Sequence, residues 1–118
     1  MLIAKGQGAS PGEAKGPLAL TAQAALALAA SGTPPIFVRN EMDAVDVPAI
    51  RVAAGVVIAR GGITADGAVA ARALGKPCIV GCSGAAIRDT EVKVGKTLVS
   101  PGTLVTMNAA TGELHSQE

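Results

Sequence analysis

The strongest chemical signal in this 118-residue chain is the run Arg60-Gly61-Gly62-Ile63-Thr64-Ala65-Asp66-Gly67. It follows the apolar stretch Gly55-Val56-Val57-Ile58-Ala59 and precedes a stretch of small residues that includes Ala68, Ala70, Ala71 and Ala73. A β-branched strand, a glycine pair and then a helix turn backbone N–H groups toward an anion. The first-turn donors of a helix have no internal partners, and the peptide dipoles raise the potential there. Thr64 reads as the N-cap, which puts Ala65, Asp66 and Gly67 in the first turn. Phosphate is the natural guest, and Arg60 and Arg72 are guanidinium groups able to grip its oxygens in pairs. The side chain at the focus is a carboxylate, Asp66. Glycines between strand and helix also serve merely to turn a chain, and Arg72 serves equally well to tie the helix to the surface.

Other chemistries are poorly supported. Gly12-Glu13-Ala14-Lys15-Gly16 lacks the spacing of a nucleotide-binding P-loop, and no Gly-x-Gly-x-x-Gly occurs. Cys78 and Cys82 lie four apart in an expected strand, which puts them on one face about 13 Å apart, too far for a disulfide. Cys-x3-Cys without a second pair or a nearby histidine is poor zinc spacing, so no metal site is expected and both thiols read as buried. The single histidine, His115, reads as an exposed residue near the C-terminus.

The bulk composition narrows the partners. Ten basic side chains against nine acidic give a net charge of +1, too little to recruit duplex nucleic acid or an anionic membrane by charge alone. With no Trp, no Tyr and one Phe, the platforms that stack single-stranded bases are missing. No segment approaches the ~20 apolar residues of a membrane span, and no signal-peptide stretch opens the chain, so a cytoplasmic protein is expected.

Stepping along the chain, residues 2 to 6 and 14 to 20 read as strands around the Pro11-Gly12 turn. Thr21 to Ala30 reads as a helix capped by Thr21 and stopped at Gly32. Ile36-Phe37-Val38 and Pro77-Cys78-Ile79-Val80 read as buried strands, with a short helix between Glu41 and Ile50 and a longer one from Thr64 to Leu74, closed by Gly75. Lys76 favours that helix end by charge. Thr90 to Val94, Leu104 to Asn108 and Glu113 to His115 alternate and read as antiparallel meander strands. The expectation is one α/β domain over residues 1–118, with a mixed central sheet flanked by helices.

These segments, taken together and in order, resemble one family. Ala9 to Gly16, Ile36-Phe37-Val38-Arg39, Gly55 to Thr64, Ala71 to Cys82, and Val105-Thr106-Met107-Asn108 with Thr111-Gly112-Glu113-Leu114 are similar to the mobile phosphohistidine domain of phosphoenolpyruvate-utilising enzymes. That family includes pyruvate phosphate dikinase, phosphoenolpyruvate synthase and the first enzyme of the sugar phosphotransferase system. The resemblance spans nearly the whole chain. It implies a swivelling β/β/α domain that carries a phosphoryl group between a nucleotide- or phosphate-donor domain and a barrel domain that binds phosphoenolpyruvate or pyruvate. It implies no cofactor in this domain, with Mg²⁺ in the partner domains, and a phosphate site at Arg60, Gly61, Gly62, Thr64, Gly67 and Arg72. The acceptor histidine of the family maps onto Asp66, and Gly67 stands where alanine is usual.

The aspartate changes the chemistry. A neutral imidazole attacks phosphorus and hands it on as a phosphoramidate, whereas a carboxylate forms an acyl phosphate, usually beside Mg²⁺ held by further carboxylates. Glu41, Asp43 and Asp46 are the acidic residues that would have to approach in space. Two other uses of Asp66 stay open. As a first-turn acid worth about 0.3–1 kcal/mol it can occupy the anion site as a stand-in for phosphate, or serve only the helix. The rival to a phosphoryl carrier is then a non-catalytic binding or regulatory module that docks on the same partner domains.

Overall fold

The computed structural model describes residues 1–63 and 65–116. In chain order the strands β1 (Leu2–Ser10) and β2 (Glu13–Ala19) lead into helix α1 (Ala22–Ala30), strand β3 (Ile36–Arg39), a 3-10 turn (Ala44–Asp46) and helix α2 (Val47–Val52). Strand β4 (Gly55–Ile58), helix α3 (Asp66–Ala73) and strand β5 (Cys78–Ser83) follow. Short strands β6 (Ala86–Ile87), β7 (Val92–Val94) and β8 (Thr97–Val99) precede the hairpin of β9 (Leu104–Asn108) and β10 (Glu113–Ser116).

The local reasons are conventional. Thr21 Oγ1 accepts from the Ala24 N–H at 3.1 Å and so caps α1. Gly75 takes φ +71° just after α3, where a side chain would be strained.

The mixed α/β class is as expected, but the sheet is not a layer between helices. Its seven strands run β1-β10-β9-β2-β3-β4-β5, and β5 pairs back onto β1, closing a barrel. Strands β2 to β5 are mutually parallel and the rest antiparallel. Strand parity then divides the core in two. Leu18, Ile36, Val38, Val57, Ile79, Val105, Met107 and Leu114 point inward and fill the barrel. Ala19, Phe37, Val56, Ile58, Cys78 and Val80 point outward and pack against Ala25, Ala49, Ile50, Ala53, Ala68 and Ala71 of the helices. The helices thus cover the outside of the parallel half and, through α3, the neighbouring strand β1.

The expected C-terminal meander is two structures. β9 and β10 belong to the barrel, whereas β6, β7 and β8 form a separate three-stranded sheet. Ile87, Val92 and Val99 of that sheet join the barrel-filling cluster. The Asn40 side-chain amide donates to the Ile87 carbonyl at 2.8 Å, which fixes the small sheet beside the end of β3.

The two cysteines do not share a face. Gly81 sits at φ +63° within β5, and the pairing with β1 shifts register there, as at a bulge. Cys78 therefore faces the helices and half-buried Cys82 the barrel interior. Both are free thiols. Burial pushes Cys78 up to about 11, with Arg72 opposing and Cys82 adding to the rise, and burial alone pushes Cys82 up to about 11.

Candidate functional site

The glycine-rich turn lies where β3 and β4 end. Beyond β4 the chain keeps its pairing for two more residues, with the Ala59 N–H bonded to Arg39 O at 2.9 Å and the Arg60 N–H to Asn40 O at 2.8 Å. Gly61 then turns the chain at φ +94°, a region that disfavours every other residue, and the carbonyl of Gly61 lies over Gly81 of the β5 bulge. The Ala65 N–H closes the turn onto Gly62 O at 3.0 Å. Crevices at the carboxyl ends of parallel strands are the usual ligand position in such sheets.

Helix α3 starts at Asp66, with Ala65 rather than Thr64 in the N-cap place. Thr64, expected as cap and phosphate ligand, lies outside the described residues. Alanine has no side-chain acceptor, and the first helical hydrogen bond runs from the Val69 N–H to Ala65 O at 3.0 Å. The N–H groups of Asp66, Gly67 and Ala68 therefore have no partner within the helix, and the Ala65 side chain offers them none. Asp66 itself is exposed.

Gly67 is buried, and its glycine identity is set by packing. An added Cβ would lie 2.7 Å from Ile58 Cδ1 and 2.9 Å from Met42 Cβ. The helix start is thereby pressed onto β4 and the segment before the 3-10 turn. Gly62 differs: nothing lies within 4 Å of an added Cβ, and its backbone is not in the left-handed region.

Of the arginines, Arg60 reaches the turn and Arg72 does not. Arg60 Nη1 lies 3.7 Å from Glu41 Oε1, both side chains largely in solvent. Glu41, Met42, Ile58, Arg60, Gly61 and Ala65 line a shallow depression of about 240 Å³. Arg72 stands six residues after Asp66, about 9 Å along the axis, and its Nη1 donates to Ala9 O at 3.3 Å. It ties α3 to β1, the structural use open to it from the sequence.

The acidic segment does not assemble a metal site. Glu41 turns to Arg60, and Asp46 Oδ2 accepts from the Asp43 N–H at 3.1 Å. Among the described residues no three His, Cys, Asp or Glu side chains converge. The residues present do not fit Mg²⁺ beside Asp66.

Sequence reasoning missed Met42 and Gly81, which hold the turn from below. The glycine inside an otherwise apolar strand was the available signal for the bulge. His115, expected to stand alone, has its Nε2 2.9 Å from Glu113 Oε1 on the outer face of β10.

The chain belongs to the family of PEP-utilising enzyme mobile domains, which matches residues 32–112. It is 43% identical over 115 residues to pyruvate, phosphate dikinase 2 of Oryza sativa subsp. japonica, covering 96% of this chain and 13% of that protein. It is 41% identical to pyruvate, phosphate dikinase 2 of Zea mays, at the same coverage. The chloroplastic pyruvate, phosphate dikinase of Mesembryanthemum crystallinum is 40% identical, with 96% of this chain and 12% of that protein covered. The chain thus spans only a small part of these relatives. Among solved structures, Thermococcus kodakaraensis aconitase X in its holo-form aligns over 98% of both chains with a TM-score of 0.54 and 17% identity, a likeness of fold alone. Among the described residues no helix is long and apolar enough to cross a membrane.

Proposed function

We propose that this member of the family works as the mobile, phosphoryl-carrying domain of a phosphoenolpyruvate-utilising phosphotransferase, with Asp66 in the place of the acceptor histidine. The observation that carries this reading is the exposed Asp66 in the first turn of α3, at the end of the glycine turn that begins with Arg60 beyond the parallel strand β4. In the forward step an Asp66 oxygen attacks the phosphorus of phosphoenolpyruvate. The new P–O bond makes an acyl phosphate as the bond to the enol oxygen breaks, and the departing enolate takes a proton to become pyruvate. The N–H groups of Asp66, Gly67 and Ala68, together with Arg60, face the charge on the transferred group. The partners in this reading are a phosphoenolpyruvate- or pyruvate-binding barrel and a nucleotide- or phosphate-donor domain, between which the domain swivels. A cytoplasmic setting belongs to the same proposal.

The test is to incubate the protein with its phosphoenolpyruvate-binding partner and phosphoenolpyruvate labelled in the phosphoryl group. Label should appear on the protein and be lost in Asp66→Ala, while Asp66→His should carry label as an acid-labile phosphoramidate. Absence of label on the native protein would reject carriage by Asp66.

A second reading is favoured by the failure of Glu41, Asp43 and Asp46 to gather around Asp66. Here the carboxylate is a fixed substitute for the phosphoryl group, and the protein docks on the same partner domains without accepting phosphate. This reading expects no label, measurable binding to a partner domain, and weaker binding for Asp66→Lys.

A further inference from the structure

A second depression shares the Arg60–Glu41 pair with the first. It measures about 260 Å³ and lies between the ends of β2 and β3 and the start of the small sheet. Three guanidinium groups line it, from Arg39, Arg60 and Arg88, together with the Asn40 amide. Two carboxylates, Glu41 and Asp89, share its wall.

The arginines are held in position but not saturated. Arg39 is anchored by Nη1 to Leu20 O at 3.2 Å and reaches Asp89 Oδ1 with Nη2 at 3.4 Å. Arg60 approaches Glu41 only to 3.7 Å, and Arg88 Nε approaches Glu91 only to 3.8 Å. A well-formed charge-assisted hydrogen bond spans about 2.7–2.9 Å, and each guanidinium carries five donors. Pairs this long, each with at least one side chain mostly in solvent, are weak and readily exchanged. Asn40 is fixed by its bond to Ile87 O, so the floor of the cleft is rigid where the small sheet joins the barrel.

We infer that this cleft is a binding site for a small phosphate-type oxyanion, distinct from the turn that bears Asp66. A planar guanidinium matches two phosphate oxygens at once, and three of them around one cavity can take more than one edge of a tetrahedral anion. The volume lies below the roughly 300–1,000 Å³ of pockets for drug-sized ligands, so the guest is a free phosphate or a small phosphate ester rather than a nucleotide. Asp89, Glu41 and, at Arg88, Glu91 are internal competitors that the anion displaces. The Arg60–Glu41 pair lines both depressions, so an anion in the cleft draws Arg60 away from Glu41. Neither Asp66 nor phosphoryl transfer is needed for this site.

The test is an amide-resolved NMR titration of the protein with inorganic phosphate at constant ionic strength, repeated with glycerol 3-phosphate. Saturable shifts at Asn40, Ile87, Arg88 and Asp89 are expected for either probe, and tighter binding of the ester would identify an organic phosphate as the guest. Arg88→Gln, an exposed position that leaves the fold intact, should weaken binding about tenfold. Asp89→Asn should strengthen it severalfold, because it removes a competitor. Shifts confined to Gly61–Ala68 with the cleft amides unmoved would overturn the inference, as would phosphate affinity indifferent to both substitutions. Such a result leaves the labelling test of Asp66 unaffected.

Discussion

Gly67 and Ile58 meet so closely that a methyl on the glycine would stand 2.7 Å from Ile58 Cδ1. The same methyl would stand 2.9 Å from Met42 Cβ, an atom that cannot move without its backbone. Gly67→Ala is therefore expected to destabilise the fold, although alanine is the better helix former. Overpacking costs about 1–3 kcal/mol and the propensity gain is at most about 1. Urea unfolding should show a lower midpoint at unchanged m, a net loss of about 1–2 kcal/mol. An Ile58→Val background, which removes Cδ1, should relieve part of that loss, whereas Met42→Ala, which keeps Cβ, should relieve little of it.

The two glycines of the turn should behave differently. Gly61 has φ +94°, whereas Gly62 has an ordinary backbone and open space around it. Gly61→Ala should cost about 1–3 kcal/mol in thermal or chemical unfolding. Gly62→Ala should fall within about 0.5 kcal/mol of the native protein. If Gly62→Ala nonetheless reduces label transfer or partner binding, the glycine is needed for close approach from outside.

On the outer face of β10, the His115 ring should set where the Glu113 carboxyl titrates. The hydrogen bond from His115 holds the Glu113 carboxyl below the ordinary value, against a small opposing effect of desolvation, with the charges of His115 and Lys5 assisting. A carboxyl lowered in the folded state adds stability that is present above its unfolded value and is lost as the pH falls through its folded value. His115→Phe should raise the Glu113 pKa in a carboxyl-detected NMR titration and flatten the loss of stability on the acid side.

Both thiols should be slow to react while the protein is folded. With values pushed up from 9.0 to about 11 by burial, the thiolate fraction near neutral pH falls about a hundredfold. A thiol reagent should label the native protein far more slowly than the unfolded chain. Half-buried Cys82 should react before Cys78, as read by mass spectrometry.

The sequence made the strand, glycine pair and helix around Asp66 legible because each has a local cause: β-branched residues in β4, a left-handed position at Gly61, and small residues along α3. The capping of α1 by Thr21 was legible for the same reason. Closure of the barrel was not, since the pairing of β5 with β1 joins Gly8 to Ile79 across the chain, and no local pattern encodes such a partner. The parity of Cys82 was lost at a single residue, Gly81, where one bulge reverses every side chain after it. The role of Gly67 was hidden because it depends on Met42, 25 positions earlier in the sequence. Of the small sheet only β7 was legible, within Thr90 to Val94, and β6 and β8 escaped because they are two and three residues long.

Barrel closure also limits how anything can recognise this protein. In the seven-stranded sheet every strand has a neighbour on both sides, so no strand there runs as a free edge along its whole length for a visiting strand to zip onto. A partner that docks on the barrel must grip it by side chains and by the loops where the strands end, whereas the small sheet keeps open edges at β6 and β8. A body that is to be released from one docking place and seated in another benefits from contacts of that kind, which part without unravelling the sheet.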